Sequence, residues 1–249
     1  MSFGSSAIVR RMSNWRSGFL NSCTVLGQRL LPQQCLLCAA PALANTVCPA
    51  CYACLPWLTG PRCPQCALPT ADGGICGACL SRPPRFDRVT AAFAYAWPLA
   101  PLIHHYKYAG NLALATLLAR ALCTRLSADA DLIVPMPLAP QRLRSRSFNQ
   151  ALEIARVASR MTGVPLAPAA CRRVRDTAPQ ASLPWQERAQ NIRNAFACDA
   201  DLSGMRVAVI DDVMTTGATL NELARNLRQA GALEVQGWLV ARTLKHDLP

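Results

Sequence analysis

Residues 207–220 are VAVIDDVMTTGATL, and this stretch decides the fold of the larger part of the chain. Four apolar residues lead into two acids, a turn rich in Thr and Gly, and a helical pattern. A buried strand that runs directly into a helix is typical of α/β sheets, whose ligands lie at the carboxyl ends of the strands. The turn offers backbone N–H groups and Thr hydroxyls at a helix N-terminus, which suits an anion. The plain alternative is a buried strand followed by a helix that threonine caps.

The sequence around this stretch alternates between strand and helix patterns. Helices are predicted to begin after Asn111, over Phe148–Met161 and over Thr219–Ala230, with Gly231 just beyond the last. Strands are predicted at Val89–Ala96, Leu132–Val134, Arg206–Ile210 and Glu234–Ala241. Strand and helix in alternation predict an α/β fold with a parallel sheet and helices on both of its faces.

Four Cys-x-x-Cys pairs precede the α/β part. A shift of 28 residues superposes the first two pairs on the last two, which indicates an internal duplication. Two such pairs complete a tetrahedral site of four thiolates, so we predict two structural zinc ions that supply most of the folding energy of this region. The predicted ligands are Cys35, Cys38, Cys48, Cys51, Cys63, Cys66, Cys76 and Cys79.

Other arrangements of these cysteines stay open. Pairing within each copy is the simplest assignment, but an interleaved pairing would satisfy the same count, and Cys54 could compete as a ligand. A disulfide framework and redox-active pairs are alternatives, and the odd total of 13 Cys argues against the framework. The isolated cysteines are predicted to be ordinary core or surface residues; they are Cys23, Cys123, Cys171 and Cys198.

Three parts of the chain follow from these patterns. Residues 82–85 are Arg-Pro-Pro-Arg, which marks a boundary. We therefore predict a helical lead segment at 1–34, a double zinc ribbon at 35–82 and an α/β domain at 86–249.

The charge of the chain points to anionic partners. Its net charge is +12, and Arg supplies 24 of the 26 basic residues. Arg suits phosphate contacts, but composition does not separate nucleic acid, a phosphorylated small molecule and an anionic membrane surface. The longest apolar stretch, Val89–Ile103, contains two prolines and is shorter than a spanning helix requires. Without a convincing signal peptide, we predict a cytoplasmic protein that does not insert into membranes.

Arginine is concentrated after the second predicted strand. Between Leu138 and Arg175 the chain has eight Arg and one acid, Glu153. Arg142, Arg144 and Arg146 follow the strand that ends in Val-Pro-Met-Pro, so we expect them at the ligand edge, where a pyrophosphate needs cations. A second group either binds a nucleic-acid backbone or forms a solvated face; it comprises Arg172, Arg173, Arg175, Arg188 and Arg193.

Residues 207–220 resemble the phosphoribosyl pyrophosphate (PRPP) loop of type I phosphoribosyltransferases. The resemblance implies that Asp211 and Asp212 hold the ribose hydroxyls, with magnesium accompanying PRPP. It also implies that five residues cradle the 5-phosphate: Thr215, Thr216, Gly217, Ala218 and Thr219. Lys107 is a candidate to reach the pyrophosphate, whereas His104 and His105 are predicted to pack or to face solvent.

The order of these parts is similar to that of the ComF family of competence proteins. The resemblance implies a double zinc ribbon joined to a phosphoribosyltransferase-like domain, located in the cytoplasm, with a role in handling imported DNA. The implied partners are PRPP, single-stranded DNA and other competence or DNA-processing proteins. The stretches that carry the resemblance are Cys35–Cys79, His104–Tyr108, Val134–Pro137, Arg142–Gln150, Arg175–Thr177 with Gln180, Arg188 with Asn191, and the loop.

Two functions are consistent with these features. In the first, the protein binds single-stranded DNA and keeps the PRPP pocket as a ligand sensor or to hold nucleotide phosphates. In the second, the chain is an active phosphoribosyltransferase of nucleotide metabolism whose acceptor is unknown, and the ribbon is purely structural. Thr215 stands where purine-salvage relatives carry an acid that serves the base, which disfavours a purine acceptor. The sequence assigns no catalytic residue and leaves open whether the protein is an enzyme.

Overall fold

The computed structural model describes residues 34–42, 46–127, 129–175 and 191–244. Residues 1–33, which hold almost all of the predicted lead segment, lie outside this range, as do Asp176, Thr177, Gln180 and Arg188. The chain divides into two compact units, residues 1–53 and 54–249. The second pair of Cys-x-x-Cys motifs therefore belongs to the same unit as the sheet, and the predicted three-part division stays a prediction.

In its described residues, 34–42 and 46–53, the first unit has a tight turn and a short helix, α1 (Pro49–Ala53). The Cys35 N–H donates to the carbonyl of Ala40 at 2.8 Å, and the Ala39 N–H donates to the carbonyl of Cys35 at 2.9 Å. Ala39 has φ of 59°, in the left-handed region that a non-glycine residue enters only where the surrounding structure demands it. The turn aims both thiols of the first pair to one side.

The second unit repeats this geometry 28 positions later, as the duplication predicts. The Cys63 N–H donates to the carbonyl of Leu68 at 2.8 Å, and Ala67 again has φ of 59°. The short helix α2 (Gly77–Ser81) corresponds to α1. Because the copies share backbone geometry as well as spacing, each forms its own knuckle pair.

Four parallel strands form the main sheet of the second unit. In order across the sheet they are β1, β6, β5 and β2. A separate antiparallel pair consists of β3 and β4. The strands are β1 (Arg88–Ala94), β2 (Leu132–Pro135), β3 (Cys171–Arg173), β4 (Phe196–Cys198), β5 (Arg206–Met214) and β6 (Glu234–Arg242). The predicted parallel α/β class is confirmed.

Side-chain caps begin two of the helices, one of them after Asn111 as the sequence predicts and the other beginning two residues later than predicted. The Asn111 side chain accepts from the Ala113 N–H, and the Asn149 side chain accepts from the N–H groups of Ala151 and Leu152. The longer helices are α3 (Leu99–Ala109), α4 (Leu112–Cys123), α5 (Pro140–Arg146), α6 (Gln150–Thr162) and α7 (Ala218–Gln229). None of the helices in the described part of the chain combines the length and apolar character that crossing a bilayer requires.

The structure corrects the sequence-based predictions for the end of one strand and for two cysteines. β5 continues to Met214 instead of ending at Ile210, because β6 pairs alongside it as far as Arg242. Asp211 and Asp212 therefore lie inside the strand. Cys171 and Cys198, predicted to be isolated, form a disulfide, because the antiparallel pairing of β3 with β4 sets them opposite each other.

Candidate ligand site and metal centres

The carboxyl ends of β5 and β2 meet at one edge of the sheet. The Met136 N–H, just past β2, donates to the carbonyl of Ile210 at 2.8 Å, so the chain leaving β2 passes beside Asp211. The Asn149 amide donates to the carbonyl of Met136 at 3.1 Å and thereby ties the start of α6 to this edge. The predicted acids and the predicted arginine stretch thus leave the sheet at neighbouring positions.

α3 brings Lys107 to the same edge. Its Nζ lies 3.0 Å from Oδ2 of Asp212, and both side chains are mostly buried. Burial acts to lower the pKa of Lys107, but the charge and hydrogen bond of Asp212 outweigh it, so this pKa is raised. Lys107 therefore stays charged. The sequence named both residues as site residues, but it did not indicate that they pair.

Asp211 has a different environment from Asp212. Successive side chains of a strand point to opposite faces, so the two acids leave β5 in opposite directions. Burial, and then the negative charge of Asp212, raise the pKa of Asp211 to about 7. The charges of Lys107 and Arg173 partly offset that rise. Near neutral pH, Asp211 can therefore donate or accept a hydrogen bond. Asp212, in contrast, forms an ion pair with Lys107.

The turn between β5 and α7 is shaped by its own side chains and by Gly217. The Thr216 hydroxyl accepts from the Ala218 N–H at 3.1 Å within the turn, whereas the N-cap of α7 is Gly217 and makes no side-chain cap, so the alternative of a threonine cap is not borne out. Gly217 has φ of 81° and starts the helix, with its carbonyl accepting from Asn221 N–H at 2.8 Å. An added Cβ there would only touch Met214 and Phe86, so the backbone angle is the reason for glycine.

The arginines after β2 lie on α5. The guanidinium of Arg146 stacks over Tyr108 at 5.0 Å and donates to Gln150 Oε1 at 3.1 Å. Tyr108 directly follows Lys107, so α5 lies beside the end of α3 that carries Lys107. Arg144 is exposed. Arg146 thus contacts the residue that follows Lys107 on α3.

The second arginine group divides into exposed and buried members. Arg172 is exposed and pairs with Asp199 at 2.8 Å, and Arg175 donates to the carbonyl of Arg193 at 2.7 Å. Arg173 is buried and stacks against Phe196 at 5.7 Å, so it is not part of the exposed basic face predicted for it. The alternation of β3, with one Arg outward and the next inward, is the signal that sequence reasoning missed.

Each copy of the Cys repeat forms its own four-thiol group. The groups are Cys35, Cys38, Cys48 and Cys51, and Cys63, Cys66, Cys76 and Cys79.

The thiol positions suit zinc. The Sγ atoms of Cys38 and Cys48 are 3.7 Å apart, and those of Cys66 and Cys76 are 3.6 Å apart. A tetrahedron with Zn–S bonds of about 2.3 Å has edges of about 3.8 Å. The predicted within-copy pairing and the two structural zinc sites are therefore supported, and Cys54 lies outside both groups.

Comparison with known proteins identifies the N-terminal region. Residues 26–80 match the family described as "Double zinc ribbon domain". Solved structures similar to this chain include the allosteric regulatory enzyme of purine biosynthesis and a purine phosphoribosyltransferase from Pyrococcus horikoshii. The first is 24% identical, with a TM-score of 0.34, and the match covers 50% of this chain and 25% of that one. The second is 22% identical, with a TM-score of 0.30, and the match covers 53% and 82%.

Curated relatives match a larger part of the chain. The DNA utilization protein YhgH of Escherichia coli K12 is 35% identical over 176 residues, which is 68% of this chain and 78% of that protein. Competence protein F of Haemophilus influenzae is 35% identical over 178 residues, 67% of this chain and 77% of that protein. Competence protein ComFC of Streptococcus pneumoniae is 27% identical over 153 residues, 61% of this chain and 67% of that protein. With its double zinc ribbon and its parallel α/β sheet, the chain belongs to the ComF family of competence and DNA utilization proteins.

Proposed function

We propose that this protein binds PRPP at the carboxyl end of β5 and acts in the handling of single-stranded DNA. The observation that carries the first part is the Lys107–Asp212 ion pair, held directly before a turn whose glycine is left-handed and opens a helix. A ribose needs acceptors for its hydroxyls and a phosphate needs backbone N–H groups at a helix N-terminus. This edge supplies both within one continuous stretch.

Each part of PRPP has a matching group in the proposal. Asp212 and Asp211 hold the ribose 2′- and 3′-hydroxyls, and residues 215–219 hold the 5-phosphate. Lys107 and Arg146 face the pyrophosphate, because a charged guanidinium or ammonium pairs strongly with phosphate oxygens. Magnesium would bind with the pyrophosphate of PRPP and share its charge with these side chains.

The role in DNA handling rests on the family and on charge. Relatives carry the names DNA utilization protein and competence protein. The chain has a net charge of +12, and Arg172 and Arg175 are exposed. In this proposal the protein acts in the cytoplasm, where imported single strands and PRPP are both present, together with other DNA-processing proteins.

Calorimetry tests the PRPP site. PRPP with Mg²⁺ is titrated into the full, zinc-loaded chain and into the Asp212→Asn variant. We expect the variant to bind at least about 10-fold more weakly, because a charge-assisted hydrogen bond contributes about 1.5–3 kcal/mol. Asp201→Asn is the matched control, since the contacts of Asp201 within the described ranges are the N–H and hydroxyl of Ser203, from which Asn can also accept.

Two results would decide against this assignment. If folded, zinc-loaded wild-type protein does not bind PRPP, then PRPP is not its ligand. If Asp212→Asn binds PRPP with the affinity of the wild type, then PRPP does not bind at Asp212. If binding is observed, release of pyrophosphate on addition of nucleobase or amine acceptors would favour the active transferase.

A further inference from the structure

We propose that Arg242 is a positioning residue that ties the second metal centre to residues 214–219, here called the phosphate loop. Zinc at Cys63, Cys66, Cys76 and Cys79 then holds this loop in its binding shape. The inference rests on the proposed function for its consequence, the affinity for PRPP. Its structural part stands on contacts within residues 54–249 alone.

Arg242 is the last residue of β6 and only 3% of its surface is exposed. Its Nε donates to the carbonyl of Cys66 at 2.9 Å. Its Nη1 donates to the carbonyl of Met214 at 3.0 Å and also to that of Thr215. One side chain therefore joins the backbone of a metal-ligating cysteine to the two residues with which the phosphate loop begins.

The shape of the guanidinium makes this a rigid connection. Its N–H donors lie in one plane at fixed angles, so satisfying Cys66 on one side sets the direction of the bonds to Met214 and Thr215 on the other. Met214 is further held by Thr243, whose N–H donates to the Met214 carbonyl at 3.0 Å. Lysine, with a single nitrogen, could not reproduce these contacts at both ends.

The charge of Arg242 also points to the metal centre. Among the ion pairs of the described residues, none has Arg242 as a member; its Nε and Nη1 donate to backbone carbonyls, and the side chain of Cys66 lies beside it as well. Four thiolates around one Zn²⁺ carry a net charge of about −2. A loaded second centre thus provides the negative charge that a buried guanidinium needs.

A second contact links the same two places. Phe86 lies in the apolar cluster that contains Cys63, Cys66 and Cys79. A Cβ added at Gly217 would lie 3.6 Å from Phe86 Cζ, so this ring packs against the turn at Gly217. Disorder in the second knuckle pair would disturb both the ring and the arginine. We expect loss of this zinc to loosen residues 214–219 and to weaken PRPP binding.

Hydrogen–deuterium exchange without ligand tests the connection in the full, zinc-loaded chain. Arg242→Lys is compared with Arg228→Lys, a control in which another guanidinium donates to the carbonyls of Ala232 and Leu233 and pairs with Asp87, in the last turn of α7 instead of beside the loop. We expect Arg242→Lys to keep two zinc ions and to lower exchange protection of residues 214–220 at least about 10-fold. Its affinity for PRPP should fall about 10-fold, and neither quantity should change in Arg228→Lys.

Selective loss of each metal provides the second arm. Cys79→Ser removes a ligand of the second centre and should reproduce the loop exchange of Arg242→Lys, whereas Cys51→Ser, in the first centre, should leave the loop protected. If a variant fails to fold, a chelator is added stepwise to the wild type, and alkylation of released thiols identifies which centre has emptied. The same loop protection with an emptied second centre, or in Arg242→Lys, would overturn the proposal. An altered loop in a protein that does not bind PRPP would retain the connection and refute only the proposed ligand.

Discussion

At the scale of single residues, Asp211 changes its ionisation when the chain folds. Its pKa is about 7 in the folded protein, because burial and then the charge of Asp212 disfavour the carboxylate. An aspartate in an unfolded chain titrates near about 4. Between these values the folded state binds more protons than the unfolded state, so this residue makes stability fall as pH rises from about 4 to about 7.

Asp211→Asn should remove the loss of stability that Asp211 causes between about pH 4 and about pH 7. The full pKa shift of Asp211 corresponds to about 4 kcal/mol of unfolding free energy. Because the side chain is partly exposed, we expect a smaller effect of about 1–2 kcal/mol. Urea unfolding at pH 4 and pH 8 should show the variant gaining this amount on the wild type at the higher pH. Asp131→Asn is the opposite control: hydrogen bonds from Arg206 lower the pKa of Asp131 to about 2, so its contribution is present above about pH 4 and lost below it. Equal pH profiles for wild type and Asp211→Asn would contradict the assignment.

At the scale of elements, the turn after α7 depends on Gly231. Its φ is 97°, and an added Cβ would lie 2.9 Å from Cα of Ser203 and 3.0 Å from its backbone N. Backbone cannot give way as a flexible side chain can, so Gly231→Ala should lose about 2–4 kcal/mol of unfolding free energy. Gly204→Ala is the comparison, since Gly204 has φ of 72° with open space around it. It should lose only about 1 kcal/mol. If both variants lost the same unfolding free energy in denaturant, then the positive φ, and not the contact with Ser203, would account for the effect at Gly231.

The disulfide between β3 and β4 is a second prediction at this scale. It joins residues separated by 27 positions. Closing a loop of that length lowers the entropy of the unfolded chain and thereby stabilises the folded protein by about 3–4 kcal/mol. A phosphine reductant should therefore lower the melting temperature of the wild type through this bond, and Cys171→Ser should lack that response. Mass spectrometry after alkylation checks the bond directly: oxidised protein should leave Cys171 and Cys198 unlabelled. In a reducing compartment the pair would be open.

At the scale of the whole molecule, the excess of arginine predicts salt-dependent binding of single-stranded DNA. Removing one arginine that binds a phosphate should reduce the slope of log affinity against log salt by about 0.7. The double variant Arg172→Ala/Arg175→Ala should thus reduce the slope by about 1.4 in fluorescence anisotropy with an oligonucleotide of mixed sequence. Arg206→Ala, at the start of β5 and outside the second arginine group, is the control expected to leave the slope nearly unchanged. An unchanged slope in the double variant would place the DNA on another surface.

Sequence reasoning succeeded where the relevant residues are close together in the chain. The Cys-x-x-Cys spacing identified both four-thiol groups, and the Asn111 cap and the leucines of α7 identified helices near their observed bounds. The extent of β5 was underestimated, because a strand continues for as long as a partner strand pairs with it. That partner, β6, lies in another part of the sequence.

The sequence by itself determined the two metal centres, the parallel α/β class and the strand, turn and helix of residues 207–220. Each depends on residue types at short, regular spacings. Only the tertiary structure decided that Lys107 pairs with Asp212, that Cys171 bonds to Cys198, and that Arg242 reaches Cys66 across 176 positions of sequence. These contacts form between side chains that separate strands and helices carry to one place, and no local pattern of residues records which elements will pack together.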